Sequence, residues 1–354
     1  MFPSGDEPLT RGGDPSARYQ RQMLCAQIGA AGQNRLRHAS IVLVGCGALG
    51  SVLADILVRA GVGRLRLIDR DFIELSNLQR QTLFDEQDVA AALPKAEAAA
   101  RKLRRVNSAV DIEGVVTDVH ATNIEDLCAG ADLILDGTDN LETRYLINDV
   151  AVKNDVPWVY AACVATEGRV LGIVPRQTPC LRCLWEEPPA PGSLPTCDTV
   201  GVLAPAVNVV ASLAATEALK IVVGRATELS GLLAVDVWRG RTRCVDIRTA
   251  YEPGVCLCCG QGRYDFLSGR RGADATVLCG RDAVQIWLST TEPIDLRRIV
   301  WRLPAEARPT HSEYMLRFQA GACTVALFRD GRAIVQGTND PAVARGVVAK
   351  YVGT

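Results

Sequence analysis

Histidine is scarce in this 354-residue chain: there are three, and none falls in the motifs described below, so the chemistry of those motifs does not run on an imidazole. A basic excess is also missing. Charged residues make up 22% and balance to a net charge of −1 at pH 7, which excludes a protein that grips nucleic acid through its phosphates alone. The opening stretch "MFPSGDEPLTRGGDPSA" has no apolar h-region, so it is not a secretory signal and reads as a disordered leader over 1–16. No clean membrane span is present. The one long apolar run, "VGVLAPAVNVVASLAATEALKIVV", is interrupted by Pro205, Asn208, Glu217 and Lys220 and predicts a buried core or interface helix. No internal repeat is visible. Cysteine is plentiful, but 13 is an odd number and nine lie scattered in apolar or unpatterned settings. That excludes a disulfide framework and points to the reducing cytoplasm.

What is present begins with "IVLVGCGALG", Ile41 to Gly50. An apolar strand runs into a turn spaced G-x-G-x-x-G on Gly45, Gly47 and Gly50. Such glycines let main-chain N–H groups approach a phosphate at a helix N-terminus. Ahead of it, "RYQRQMLCAQIGAAGQNRLRHA" has helical composition. After it come a helix through "SVLADILVRAG", a strand "RLRLID", and a helix over "EQDVAAALPKAEAAARKLRRVN" broken or begun at Leu93-Pro94. A strand near "VDIEGVV", a short helix near "TNIEDLCAG" and a buried strand "DLILDGTDN" follow, then a helix and strands in "PWVYAAC" and "GRVLGIVP". The long apolar helix and a hairpin of "GLLAVDVW" with "RTRCVDI" complete the pattern. This alternation predicts an α/β fold: a Rossmann-like, mostly parallel sheet wrapped by helices.

"CGQGRYDFLSGRRGADA" reads as a linker, and a separate pattern lies beyond it. It has a strand near "TVLC", a helix near "LRRIVWRL", a strand "EYMLRFQ" and a hairpin turning on Asp330-Gly331. A last helix has Asp340 as N-cap and Pro341 in its first turn. The expected domains are therefore the leader 1–16, a main domain 17–262, a linker 263–275 and a small α+β accessory domain 276–354.

The glycine turn alone says little about chemistry. Asp69 ends the second strand 19 residues past Gly50, where an acid would hold ribose hydroxyls. These features fit NAD and ATP equally well, and a tight strand–helix turn without a ligand is the bland reading. The residues after Asp69 break the tie. "DRDFIELSNLQRQ" places Asn77, Gln79, Arg80 and Gln81 just beyond the strand, and Lys95 lies on the following helix. A dehydrogenase needs little positive charge there. An enzyme that moves a nucleotidyl group does, because negative charge builds up as pyrophosphate leaves. Asp139 of "DGTDN" would sit at a strand's carboxyl end, the usual ligand edge of such sheets, and could hold Mg²⁺.

Four cysteines stand apart from the scattered nine. Cys180 and Cys183 in "CLRC", and Cys256 and Cys259 in "CLCC", make two C-x-x-C pairs suited to a tetrahedral structural Zn²⁺. Cys258 leaves the second pair ambiguous, although spacing favours Cys256 with Cys259. Cys197, alone in "PTCDTVGVLAP", lies near a helix N-terminus, where a thiol can have a lowered pKa and act as a nucleophile. From position alone a chance loop cysteine fits as well.

With these residues assembled, the chain resembles the ThiF/MoeB/HesA family of ubiquitin-activating-enzyme-like adenylyltransferases over residues 17 to 262. The resemblance is carried, in order, by "RYQRQ", "GCGALG", "LIDRDFIELSNLQRQ", "LPKAEAA", "DGTDN", "CLRC", "TCDTVGVLAP" and "CLCC". It implies that Asp69 takes the ribose, that Asn77, Arg80 and Lys95 take the phosphates, and that Asp139 is the magnesium-associated aspartate. It also implies a homodimer with Arg21 reaching into the neighbour's site. Cys197 matches the cysteine that some members use for a covalent link to the carrier; others need only the adenylation step.

The activity so implied is ATP-dependent adenylation of the Gly-Gly terminus of a ubiquitin-like sulfur-carrier protein, releasing pyrophosphate and priming a thiocarboxylate. The C-terminal residues do not look like a rhodanese domain, so a separate sulfur donor is implied, and they resemble an extension on members assigned to thiamine (thiazole) synthesis. Three rival readings stand beside this one: activation for a bacterial ubiquitin-like conjugation system, an NAD-linked oxidoreductase, and a non-catalytic zinc-stabilised interaction protein.

Overall fold

Four successive apolar residues, Ile41 to Val44, are all buried, which a strand permits only when both its faces are covered. They form most of β1 (Ser40–Val44). The computed structural model describes residues 17–189, 193, 195–252, 254–269, 275–278, 283–288 and 293–353. The leader expected over 1–16 lies outside the described residues.

Before β1 come α1 (Gln20–Met23) and α2 (Gly29–His38). The stretch of helical composition holds both, and the chain turns between them and enters α2 through Gly29 at φ +59°. After β1 the order is α3 (Ala48–Ala60), β2 (Arg64–Ile68), α4 (Glu86–Ala90), α5 (Lys95–Val106), β3 (Asp111–Val115), α6 (Ile124–Cys128), β4 (Leu133–Asp136) and α7 (Leu141–Lys153). Pro94 caps α5 immediately ahead of Lys95, so the long helical pattern divides where a missing N–H costs nothing. Then follow β5 (Trp158–Val164), β6 (Glu167–Ile173), α8 (Leu181–Leu184), α9 (Cys197–Val200), α10 (Ala204–Val222), β7 (Leu232–Asp236) and β8 (Arg241–Val245).

These strands make one sheet in the order β3-β2-β1-β4-β5-β6-β7-β8. The first five run parallel and the last three antiparallel. The winding reverses between β1 and β4, and open α/β sheets bind ligands outside the carboxyl ends of the strands at such a reversal. Ile41 and Leu43 face a core shared with α3, α5 and α10, while Val42 and Val44 face one shared with α6 and α7. Each such buried side chain contributes roughly 1.5–3 kcal/mol relative to exposure. α10 is long and apolar enough to cross a bilayer by length and composition, yet Val207, Val210, Ala211, Ala214 and Ala218 are buried in the first of these cores.

Chain contacts divide the protein into two units. One holds the residues up to Pro189 together with Val202–Arg270; the other holds Ala190–Gly201 and Arg271–Thr354. The stretch 263–269, expected to be part of a linker, packs within the first unit: Phe266 is buried against Tyr145, and Asp265 pairs with Arg182. The second unit contains β9 (Ala275–Leu278), β10 (Ala283–Trp287), α11 (Leu296–Val300), β11 (Thr310–His311), β12 (Met315–Ala320), β13 (Cys323–Phe328), β14 (Arg332–Gln336) and α12 (Pro341–Tyr351). Its antiparallel sheet runs β11-β12-β13-β14-β10-β9, and Phe318, Val325, Leu327 and Val335 meet Val348 of α12 and Ile299 of α11 in its core. Asp340 caps α12 by accepting the Ala342 N–H at 2.7 Å, as its sequence suggested. β10 lies between the strand and the helix expected from the sequence, and its first four residues are buried in succession.

Candidate active site

The glycine turn lies at the carboxyl end of β1 and starts α3. Gly45 has φ +92°, and a Cβ on Gly50 would fall 1.9 Å from the Gly45 carbonyl oxygen, so both places require glycine. Gly47 differs. It is the N-cap of α3 with no side-chain cap, and a Cβ there would meet nothing nearer than Gln81 Nε2 at 3.9 Å. An uncapped helix N-terminus beside open space fits a phosphate. Gln81 is itself buried, and its Oε1 has no hydrogen-bond partner in the structure. Such a group is ordinarily completed by a ligand or water.

Around the turn stands a cluster of opposite charges. Asp69 accepts the Cys46 N–H at 2.6 Å and the Asp71 N–H at 2.7 Å, which aims the carboxylate across the mouth of the turn. Burial raises its pKa above the ordinary value, with Lys95 opposing. Lys95 is 5% exposed and its Nζ lies 3.2 Å from Asp71 Oδ2. Burial works to lower the pKa of this ammonium, but Asp71, Asp69 and Asp139 together hold it above the usual value. The three carboxylates thus favour the charged form of Lys95 against its burial.

Asp139 follows β4 in the loop 137–140. It lies within electrostatic reach of Lys95, Arg70 and Arg144. Two residues that the sequence reading passed over shape this loop. Asp136 accepts the Thr138 N–H at 2.9 Å and its hydroxyl at 2.8 Å, and Arg144 pairs with Asp136 at 3.0 Å while donating to the Thr138 carbonyl at 2.6 Å. Asp136 is the last residue of β4 and Arg144 stands eight residues on, within α7, an acid and a base on neighbouring elements. That signal is too common to find them.

The other expected residues divide. Asn77 is buried, and its Oδ1 accepts the Glu74 N–H at 3.1 Å while the Glu74 side chain accepts the Asn77 N–H in return, so part of its work is to hold its own turn. Arg80 is half-buried on the same turn, its Nη1 donating to the Ser76 carbonyl at 2.9 Å. Arg21 is exposed on α1, an element apart from those above, between Tyr19 and Gln22, whose side chains are fixed to Asn107 and to the Ala60 carbonyl. Cys197 begins α9, a single turn capped by Thr196, and not α10, which starts at Ala204; its stretch groups with the second unit. Cys46, inside the glycine turn, is fully buried and its thiol pKa is driven well up by burial, so it is no nucleophile.

The two C-x-x-C pairs converge. The Sγ atoms of Cys180, Cys183, Cys256 and Cys259 all lie within 4.8 Å of one another, with 3.7 Å between Cys180 and Cys256 and 3.4 Å between Cys183 and Cys259. Tetrahedral zinc with Zn–S of about 2.3 Å requires sulfurs about 3.8 Å apart, so the donor set and its spacing fit that ion. Cys258 lies outside the set of four mutually close sulfurs, although it also meets Cys180, and its thiol is engaged by Asn148 and Asp149 of α7, which favours Cys256 and Cys259 as the pair in "CLCC".

Residues 19–258 match the ThiF family. The sulfur carrier protein ThiS adenylyltransferase of Bacillus subtilis is 43% identical over 340 residues, covering 96% of this chain and 100% of that one; the similarity thus extends into the second unit. The SAMP-activating enzyme E1 of Haloferax volcanii is 39% identical, covering 71% of this chain and 91% of that one. The adenylyltransferase and sulfurtransferase MOCS3 of Sus scrofa is 39% identical over 70% of this chain, which spans about half (54%) of that longer protein. Among solved structures, E. coli MccB with ATP superposes with a TM-score of 0.60 at 25% identity, covering 70% of this chain and 75% of that one.

Proposed function

This chain belongs to the ThiF family, and from that footing we propose that it is an adenylyltransferase for the C-terminal Gly-Gly carboxylate of a ubiquitin-like sulfur-carrier protein, acting as a cytoplasmic homodimer. The observation that carries the reading is Lys95: a buried ammonium kept charged among Asp69, Asp71 and Asp139 at the reversal of the sheet. A nicotinamide enzyme has no use for it there. A site that receives a triphosphate does.

In the reaction, a carboxylate oxygen of the carrier's last residue attacks the α-phosphorus of ATP. A new O–P bond forms, the bond to the pyrophosphate oxygen breaks, and an acyl-adenylate remains. The attacking group is already ionised at pH 7, so no general base is required. The task is alignment and neutralisation of the departing charge. The N-terminus of α3 beside Gly47 receives phosphate oxygens. Lys95 and Arg80 offset the charge on the leaving group, and Asn77, whose Oδ1 is spent on Glu74, offers its NH₂. Asp69 takes the ribose. Asp139 would hold Mg²⁺, which when bound neutralises phosphate charge. Arg21 belongs to the neighbour's site, and the pinned Tyr19 and Gln22 on either side leave it projecting.

Cys180, Cys183, Cys256 and Cys259 hold a structural Zn²⁺ that ties the loop after β6 to the segment after β8. Sulfide-level sulfur from a separate donor then attacks the acyl carbon, a C–S bond forming as the C–O bond to AMP breaks and AMP leaves; where Cys197 is used as a covalent link, its thiolate displaces AMP first and is itself displaced by that sulfur. The extension of the Bacillus subtilis similarity into the second unit supports a ThiS-like carrier and thiamine synthesis. The similarity to the Haloferax volcanii SAMP-activating enzyme keeps conjugation as the second reading. The test is ATP–pyrophosphate exchange with candidate Gly-Gly proteins of the same genome. Exchange that depends on one carrier, whose released product is a thiocarboxylate, is the expected result. A lysine adduct favours conjugation, and bound NAD with no exchange overturns both.

A further inference from the structure

The four zinc-directed thiols come from two short segments, with 76 residues separating Cys180 from Cys256. Neither segment is regular enough to fix the distance to the other. α7 supplies what they lack. Asn148 and Asp149, adjacent on that helix, are both at 0% exposure. Asn148 Oδ1 accepts the N–H of Leu181, the residue after Cys180, at 2.9 Å. Since a main-chain N–H can only donate, this fixes the amide's orientation. Its Nδ2 therefore faces the other pair, and donates to Cys258 Sγ at 3.3 Å. The Cys258 thiol in turn donates to Asp149 Oδ1 at 3.5 Å, and Asp149 Oδ2 accepts the N–H groups of Phe266 at 2.9 Å and Leu267 at 3.3 Å.

We propose that Asn148 and Asp149 form a clip that sets the separation of the two cysteine pairs, with Asn148 as the positioning residue of the zinc site and Cys258 as its anchor, not a ligand. The inference rests on the zinc reading of the four cysteines. A buried asparagine is tolerated only when its amide is satisfied, and here each end is spent on one metal-bearing segment and neither on the helix itself. Partners of this kind orient ligands, and losing one typically costs about 10–100-fold in metal affinity.

The test is competition for zinc between the full-length protein and a chromophoric chelator. Asn148→Leu should bind zinc about 10–100-fold more weakly and release it faster. Cys258→Ser, whose hydroxyl can make the same two hydrogen bonds, should keep one zinc at near wild-type affinity, whereas Cys258→Ala should shift in the direction of Asn148→Leu. The alanine variant leaves the Asn148–Leu181 bond in place and serves if Asn148→Leu does not fold. Wild-type affinity in Asn148→Leu or in Cys258→Ala, or loss of zinc from Cys258→Ser, overturns the clip. A wild-type protein that takes up no zinc overturns the zinc reading itself and the clip with it, and is seen before any variant is compared.

Discussion

Gly45 and Gly137 meet backbone to backbone: a Cβ on Gly45 would lie 2.7 Å from the Gly137 carbonyl oxygen, and one on Gly137 would lie 2.5 Å from that of Gly45. The two residues directly follow β1 and β4, the strands between which the sheet reverses its winding. Their contact holds the glycine turn against the loop carrying Asp139. Gly137→Ala is therefore expected to cost about 1–3 kcal/mol of stability through overpacking and to reduce pyrophosphate exchange. Gly47→Ala meets open space and should cost less stability than Gly137→Ala while raising KM for ATP. Thermal melts beside exchange kinetics check the pair; equal effects of the two substitutions would contradict the assigned geometry.

Arg80→Ala should lower carrier-dependent exchange by about 10²–10³-fold, the usual cost of removing one charge-stabilising group. Folding should survive, because the half-buried guanidinium gives up only its bond to the Ser76 carbonyl. Unaltered exchange would remove Arg80 from the site.

Arg144→Met probes the loop from behind. It strands the fully buried Asp136 carboxylate, whose pKa is already raised by burial and held back by Arg144. Removing one partner of a buried pair costs about 3–5 kcal/mol. Without the arginine the Asp136 pKa in the folded state rises further above its unfolded value. A raised carboxylate contributes stability below the unfolded pKa that is lost as pH rises through the folded one, so the variant should be more stable in acid than at neutral pH relative to wild type. Denaturant unfolding across pH measures this, and a pH-independent deficit would argue against Asp136 as its source.

Zinc analysis should give about one ion per chain. Its removal by chelator should destabilise the first unit, since binding to the folded protein alone adds to folding free energy. A metal-free protein with an unchanged melting temperature would refute the four-cysteine site.

Cys197→Ser should leave pyrophosphate exchange intact, because the carboxylate attack on ATP does not involve a thiol. Any covalent adduct with the carrier, read by intact mass, should disappear. An adduct that persists points to another of the cysteines.

Much of this protein was determined by its sequence alone. Strand and helix periods, the capped start at Asp340, the break at Pro94 and the spacing of the two C-x-x-C pairs are local properties, set by backbone sterics and by which residues follow one another. The charged residues Asp69, Lys95 and Asp139 were legible because they sit at strand ends and a helix start in a recognisable order. Tertiary structure alone decided the rest. Asp136, Arg144, Asn148 and Asp149 act through partners brought together by the sheet order, with Asp149 and Phe266 117 residues apart, and no local pattern marks such pairs. Spacing already favoured Cys256 with Cys259, and the packing of α7 shows where the middle thiol, Cys258, is engaged instead. Burial settled these choices: a polar atom taken out of water must be paired, and which partner it finds depends on the packing of the whole chain.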